Sequence, residues 1–171
     1  MPEERSLTLV LGGARSGKSR HAETLLGAHS APWAYVATAE SFDREMDERI
    51  RIHRERRDGR WQTLDAPIDL ATTLRTLPEG RPVLVDCLTL WLSNHLLAEH
   101  DLGEEEDRLA EVLARPRGPW VLVSNEVGLG IVPDNALARR FRDAAGRLNQ
   151  RVAGLADHVV FVAAGLPMRL K

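Results

Sequence analysis

The octet Gly12-Gly13-Ala14-Arg15-Ser16-Gly17-Lys18-Ser19 fits the pattern G-x-x-x-x-G-K-[ST], and its setting constrains the fold more than any other feature of the chain. An apolar run at residues 7–11 leads into it, and a helical pattern at residues 18–26 leads out. Glycines let successive backbone N–H groups turn toward one concavity, and the following helix end adds partial positive charge there. The octet therefore predicts a loop that cradles the phosphates of a nucleoside triphosphate. Lys18 is expected to reach the β and γ phosphates, and the Ser19 hydroxyl to ligate Mg²⁺.

Strand–loop–helix at the start predicts more of the same. Continuous apolar runs at residues 33–37, 83–86, 120–124 and 158–162 read as strands covered on both faces. Helical patterns at 41–57, 67–77, 88–100, 104–114 and 133–155 lie between them, and Gly27 is placed to close the first helix. Such alternation means an α/β fold with a mostly parallel sheet and helices on both faces. A length of 171 residues and no long linker or repeat fit one domain, residues 1–171.

Composition narrows the function. A formal net charge of -2 argues against a general nucleic-acid binder. The single Cys87 excludes an intrachain disulfide, and its apolar surroundings predict a buried structural thiol. No apolar stretch is long enough for a membrane span, and residues 1–5 lack a signal-peptide pattern, so a cytoplasmic location is expected. Lys18 and Lys171 are the only lysines in a chain that otherwise takes its positive charge from arginine. A phosphate loop needs that compact ammonium. The same scarcity excludes the Asn/Thr-Lys-x-Asp guanine element of signalling GTPases. The D-x-x-G match at Asp143 to Gly146 falls inside an Arg-rich helical pattern and is set aside.

Val83-Leu84-Val85-Asp86 reads as an apolar strand that delivers a carboxylate to the edge of the sheet beside the phosphate loop, where Asp86 can hold Mg²⁺. In residues 41–57, Phe42, Met46, Ile50 and His53 share one helical face, and Arg54, Arg56 and Arg57 follow. Guanidinium neighbours disfavour the imidazolium, which leaves His53 neutral and nucleophilic near pH 7. A packed histidine on an amphipathic helix fits the spacing too. Ser124-Asn125-Glu126 ends a strand beside the expected site, with orientation of a substrate and helix capping both open. Arg139, Arg140, Arg142, Arg147 and Arg151 read as the solvated side of a helix whose other side is Leu137, Phe141, Leu148, Val152 and Leu155. The residues alone leave open a small-molecule kinase and a nucleotide-gated binding module without group transfer.

Ordered blocks along almost the whole chain decide between them. Beyond the octet and its extension to Glu23, they are Tyr35-Val36-Ala37-Thr38-Ala39, Glu45-Met46-x-x-Arg49-Ile50-x-x-His53, Asp86 to Trp91, Val123 to Pro133, and Arg140 to Arg151. In these the chain resembles the bifunctional adenosylcobinamide kinase / adenosylcobinamide-phosphate guanylyltransferase family of cobalamin biosynthesis. The resemblance implies a RecA-like P-loop fold and a homo-oligomer, a trimer. It implies two reactions: phosphorylation of adenosylcobinamide by ATP or GTP, then GMP transfer from GTP through a GMP-histidine to adenosylcobinamide phosphate, giving adenosyl-GDP-cobinamide. His53 matches the nucleophile. Nucleotide contacts carry over to the loop (Gly12 to Ser19), to Thr38, Ala39 and Glu40, to Arg54, Glu55, Arg56 and Arg57, and to Asp65 and Asp86. Some relatives have a second histidine where this chain has Ile52, and several have glutamate at the last two contact positions.

Overall fold

The computed structural model describes residues 5–40, 44–55 and 57–171, with the side chains of Arg49 and His53 excepted. Seven strands form one sheet in the order β3-β2-β4-β5-β1-β6-β7. They are β1 (Ser6–Gly12), β2 (Trp33–Ala37), β3 (Trp61–Asp65), β4 (Val83–Asp86), β5 (Pro119–Asn125), β6 (His158–Ala163) and β7 (Leu166–Arg169). All pairings are parallel except β6 with β7, the closing antiparallel hairpin. The helices are α1 (Lys18–Leu26), α2 (Arg44–Glu55), α3 (Leu70–Thr76), α4 (Leu88–Leu97), α5 (Leu102–Leu113) and α6 (Ala136–Leu155).

Because side chains alternate along a strand, the sheet divides the interior in two. One face carries Leu9, Leu11, Val36, Val85 and Leu122, packed against α3 to α6 with Trp91 and Trp120 wholly enclosed. The other carries Val10, Tyr35, Leu84, Val121, Val123 and Val162, packed mainly against Ala22 and Leu26 of α1. Burial on both faces explains the unbroken apolar runs. Truncating a side chain such as Leu122 to alanine would cost about 2–5 kcal/mol.

Two strands were not foreseen. Trp61–Asp65 lies at the sheet edge with exposed Gln62, Thr63 and Asp65, and Leu166–Arg169 is exposed throughout, so neither has the apolar continuity of the inner strands. Helix ends differ where side chains cap them. Asn135 accepts from Ala138 N at 2.7 Å, which starts α6 three residues after Pro133. Asp101 accepts from Glu104 N at 3.1 Å and starts α5 at Leu102. Gly27 does close α1, in a right-handed conformation that any residue could adopt. On α6, Leu148 and Val152 are buried and Phe141 packs beside them, but Leu137 and Leu155 at its ends stay exposed. Phe42 and Arg56 lie outside the described residues.

Candidate functional site

The phosphate loop is built by contacts that only particular residues permit. A Cβ on Gly12 would lie 2.4 Å from Ser16 Oγ and 2.7 Å from the Val162 carbonyl, so no side chain fits there. Gly17 has φ +92°, and a Cβ there would lie 3.1 Å from the Gly165 Cα. Gly165 N donates to the Ser16 carbonyl at 2.7 Å, so the β6–β7 turn braces the loop from behind. Gly17 caps α1 without a side chain, which leaves the first helical N–H groups open to an anion. Ser16 Oγ is buried and has no partner among the described residues.

Lys18 is 9% exposed, and its Nζ donates to the Gly13 carbonyl at 2.9 Å. Burial pulls its pKa below the usual lysine range, an effect that neighbouring Cys87 and Asp86 oppose. The ammonium is thus held at the start of the loop by one replaceable hydrogen bond. Cys87 is buried as expected, and burial pushes its thiol up to about 11, with Asp86 adding to the shift.

Asp86 stands at the end of β4, on the α1 face of the sheet, one position beyond Leu84 on that side. Tyr35 Oη donates to Asp86 Oδ2 at 2.6 Å. Burial, first, and the Asp86 charge push the Tyr35 pKa well above the ordinary tyrosine value, so the hydroxyl stays a donor. The Arg57 guanidinium lies over the same ring, 3.6 Å from its centroid, and its buried Nε and Nη1 have no acceptor among the described residues. Arg54 pairs with Asp65, its Nη2 lying 2.9 and 3.1 Å from the two carboxylate oxygens.

These groups border one cavity of about 850 Å³, within the range of small-molecule sites. Ala14 to Arg20 line it from the loop, Met46, Ile50 and Arg54 from α2, and Tyr35, Ala37, Asp86 and Asn125 from the strand ends. Lys18, Ser19, Arg57 and Asp86, all expected at the site, therefore meet there. Ala39 lines it as well, whereas Thr38 is sealed beneath. Its Oγ1 donates to the Cys87 carbonyl at 2.6 Å and accepts from Cys87 N at 2.9 Å. Asp65 reaches the cavity only through Arg54. Glu55 is exposed and paired with Arg51, and half-buried Glu40 is not among the lining residues. His53 belongs to α2, between Ile50 and Arg54 in sequence, and its side chain lies outside the described atoms. The Tyr35–Asp86 contact was not read from the sequence; a phenol near the end of an otherwise apolar strand was its only signal. A second cavity, about 430 Å³, lies at the amino ends of β1, β5 and β6 and holds none of the expected site residues.

Solved structures with the same architecture include the RadB recombinase, at 19% identity and TM-score 0.52 over 91% of this chain and 73% of that one. A type III secretion ATPase is similar at 13% identity and TM-score 0.53, over 96% of this chain and 56% of that one. At such identities these show the fold alone, a RecA-like P-loop core. Sequence relatives are much nearer. The bifunctional adenosylcobalamin biosynthesis protein CobP of Pseudomonas aeruginosa is 51% identical over 95% of this chain and 96% of its own length. CobU of Salmonella typhimurium, with the same description, is 40% identical over 96% and 99%. The family model described as cobinamide kinase / cobinamide phosphate guanyltransferase matches residues 8–170, and the chain belongs to that family.

Proposed function

We propose that this enzyme phosphorylates adenosylcobinamide with ATP or GTP and then transfers GMP from GTP, through His53, to adenosylcobinamide phosphate. The observation that carries this is the shared cavity, which brings the phosphate loop, Asp86 and the basic end of α2 around one triphosphate-sized space. In the first reaction the acceptor hydroxyl attacks the γ-phosphorus and the bond to the β-phosphate oxygen breaks. Lys18 exchanges the Gly13 carbonyl for phosphate oxygens and stabilises the leaving diphosphate.

In the second reaction a neutral imidazole nitrogen of His53 attacks the α-phosphorus of GTP. The bond to the β-phosphate breaks and pyrophosphate leaves with that electron pair. An oxygen of the cobinamide phosphate then attacks the same phosphorus, the P–N bond breaks, and the imidazole leaves with that electron pair as the neutral ring, its other nitrogen still carrying the proton. Arg57, held over Tyr35 with its Nε and Nη1 unpaired among the described residues, suits the charge on the departing pyrophosphate. Arg54 can exchange Asp65 for phosphate in the same way.

Among the described residues no group of three or more His, Cys, Asp or Glu could hold a metal alone. Ser19 and Asp86 are two oxygen donors of the kind Mg²⁺ takes, so the ion fits as a partner of the nucleotide. When bound, Mg²⁺ neutralises charge on the phosphate oxygens. No helix among the described residues is long and apolar enough to cross a membrane. A trimer suits the exposed apolar run Leu129, Ile131 and Val132, of which Ile131 is 98% exposed.

Incubation with α-labelled GTP, Mg²⁺ and pyrophosphatase tests the second reaction. One GMP should appear on the peptide containing His53, labile in acid and stable in alkali as a phosphoramidate is. His53→Ala should lose the label and the GDP-cobinamide product while kinase activity with GTP persists. Label on another residue, or an adduct that survives acid, would refute the mechanism.

A further inference from the structure

The strands that end at the phosphate loop present one residue each at the last position on the α1 face. Below it, Val10, Tyr35, Leu84 and Val123 belong to the core on that side of the sheet. The next residues on that face are Gly12, Ala37, Asp86 and Asn125. Gly12 begins the loop, Ala37 is small and Asp86 is held by Tyr35. Asn125 is the position left without a role.

Its backbone is fixed with unusual care. Asn125 N donates to Thr89 Oγ1 at 2.8 Å, and the Asn125 carbonyl accepts from Asn149 Nδ2 at 3.2 Å. Asn149 Oδ1 in turn accepts from Ser124 Oγ at 2.6 Å. Thr89, Ser124 and Asn149 are all buried, and buried polar side chains are costly unless bonded. Glu126 N adds a bond to the Gly12 carbonyl at 3.0 Å. The half-buried side-chain amide itself borders the cavity and has no hydrogen bond to any described residue. Three buried side chains thus hold in place an amide that no described residue uses. That is the pattern of a preorganised ligand contact.

The sheet register says which part of a nucleotide it meets. Asn125 pairs with Gly12, so the two lie roughly 5 Å apart across the sheet. Asp86 pairs with Val123, which puts Asn125 two residues, roughly 7 Å, further along the strand direction than the carboxylate. Lys18 Nζ sits on the Gly13 carbonyl, at the same end of the loop, and this lysine serves the β and γ phosphates. We infer that Asn125 is the terminal-phosphate contact of the site: its Nδ2–H donates to a γ-phosphate oxygen, so that the cavity distinguishes a nucleoside triphosphate from a diphosphate. The inference rests on phosphate binding at the Gly12 to Ser19 loop.

The test measures, with the full chain and Mg²⁺, the affinity for a β,γ-imido guanosine triphosphate and for GDP. Asn125→Ala should weaken the imido triphosphate about tenfold, the scale of one hydrogen bond to a charged group, and leave GDP unchanged. Asn125→Asp keeps the size but sets a carboxylate against phosphate, and should weaken the imido triphosphate further while GDP changes less. Asn125→Ser, with melting curves for all three, guards against loss of fold; the clamp uses only the backbone of residue 125, so wild-type melting is expected. Equal weakening of both ligands, or wild-type selectivity in the Ala and Asp variants, would overturn the assignment of Asn125. Failure of the wild type to bind either nucleotide would overturn the phosphate-loop reading with it.

Discussion

Tyr35→Phe removes one atom from the site and leaves its packing intact. The lost Oη is the donor to Asp86 Oδ2 at 2.6 Å. The ring remains, so the Arg57 stack at 3.6 Å and the edge contact with Trp61 at 6.0 Å remain too. A hydrogen bond to a charged group is worth about 1.5–3 kcal/mol. Asp86 borders the open cavity, where water can replace part of the lost bond, so a folding cost of about 1 kcal/mol is expected. The functional cost is the orientation of the carboxylate. If about 2 kcal/mol of that preorganisation is lost, phosphoryl transfer at subsaturating Mg²⁺ falls roughly thirtyfold. A Mg²⁺ titration at saturating ATP should show a raised metal requirement, while nucleotide affinity without Mg²⁺ stays at the wild-type level. The sign of the pH dependence follows from the raised Tyr35 pKa. The bond's contribution to stability is full below the unfolded tyrosine value of about 10 and declines as pH rises above it. Wild type should therefore lose an alkaline increment of stability that Tyr35→Phe already lacks. An unchanged Mg²⁺ requirement in the variant would refute the claim that the phenol positions Asp86.

Lys18→Ala should lower both transfer reactions by several orders of magnitude without unfolding the chain, since Lys18 makes one hydrogen bond within its own loop; triphosphate affinity and turnover near wild type would exclude it as the phosphate clamp. Cys87, buried and with its thiol pushed up to about 11, should react with iodoacetamide at pH 8 far more slowly than a free cysteine, and faster only when the chain unfolds in urea; mass spectrometry follows both. Ile131→Asp should lower the mass measured by light scattering if the exposed run at Leu129, Ile131 and Val132 lies between copies, and leave the melting temperature of each copy unchanged.

What the sequence made legible is what depends on neighbours along the chain. The inner strands announce themselves because both of their faces are buried, and the phosphate loop because glycines, lysine and serine act within eight residues. Edge strand β3 has only half-buried Trp61 and Leu64, one on each face, and so little apolar signal. β7 has none, although its hairpin braces the loop through Gly165 and Ser16. Within the site, the contacts that were not legible join distant residues. Tyr35 and Asp86 are 51 positions apart, and Asn125 and its clamp Thr89 are 36 apart. Thr38, expected with Ala39 and Glu40 as a nucleotide contact, has its hydroxyl bonded to the Cys87 backbone, another contact between residues far apart in sequence.

The two proposed reactions take place at different phosphorus atoms of a triphosphate, and the structure suggests how one cavity can serve both. Lys18, at the start of α1 after the loop that follows β1, borders the cavity with Asp86 of β4 and Asn125 of β5 at the middle of the sheet, where a terminal phosphate would be held. α2 reaches the cavity from the β2–β3 side, with Arg54 tied to Asp65 at the end of β3, and Arg57, beyond the end of the helix, is laid over Tyr35 of β2. Both of these tethers are contacts that a phosphate can replace, an exposed ion pair and a cation over a ring. The central groups are held differently: Asp86 by the Tyr35 hydroxyl, the Asn125 backbone by Thr89 and Asn149, and Lys18 by its bond to the Gly13 carbonyl within the loop. Under the proposed mechanism an exchange at the γ-phosphorus draws on this central half of the site. Attack on the α-phosphorus draws also on the other half, where α2 carries His53 and where Arg54 and Arg57 make contacts that a phosphate can replace.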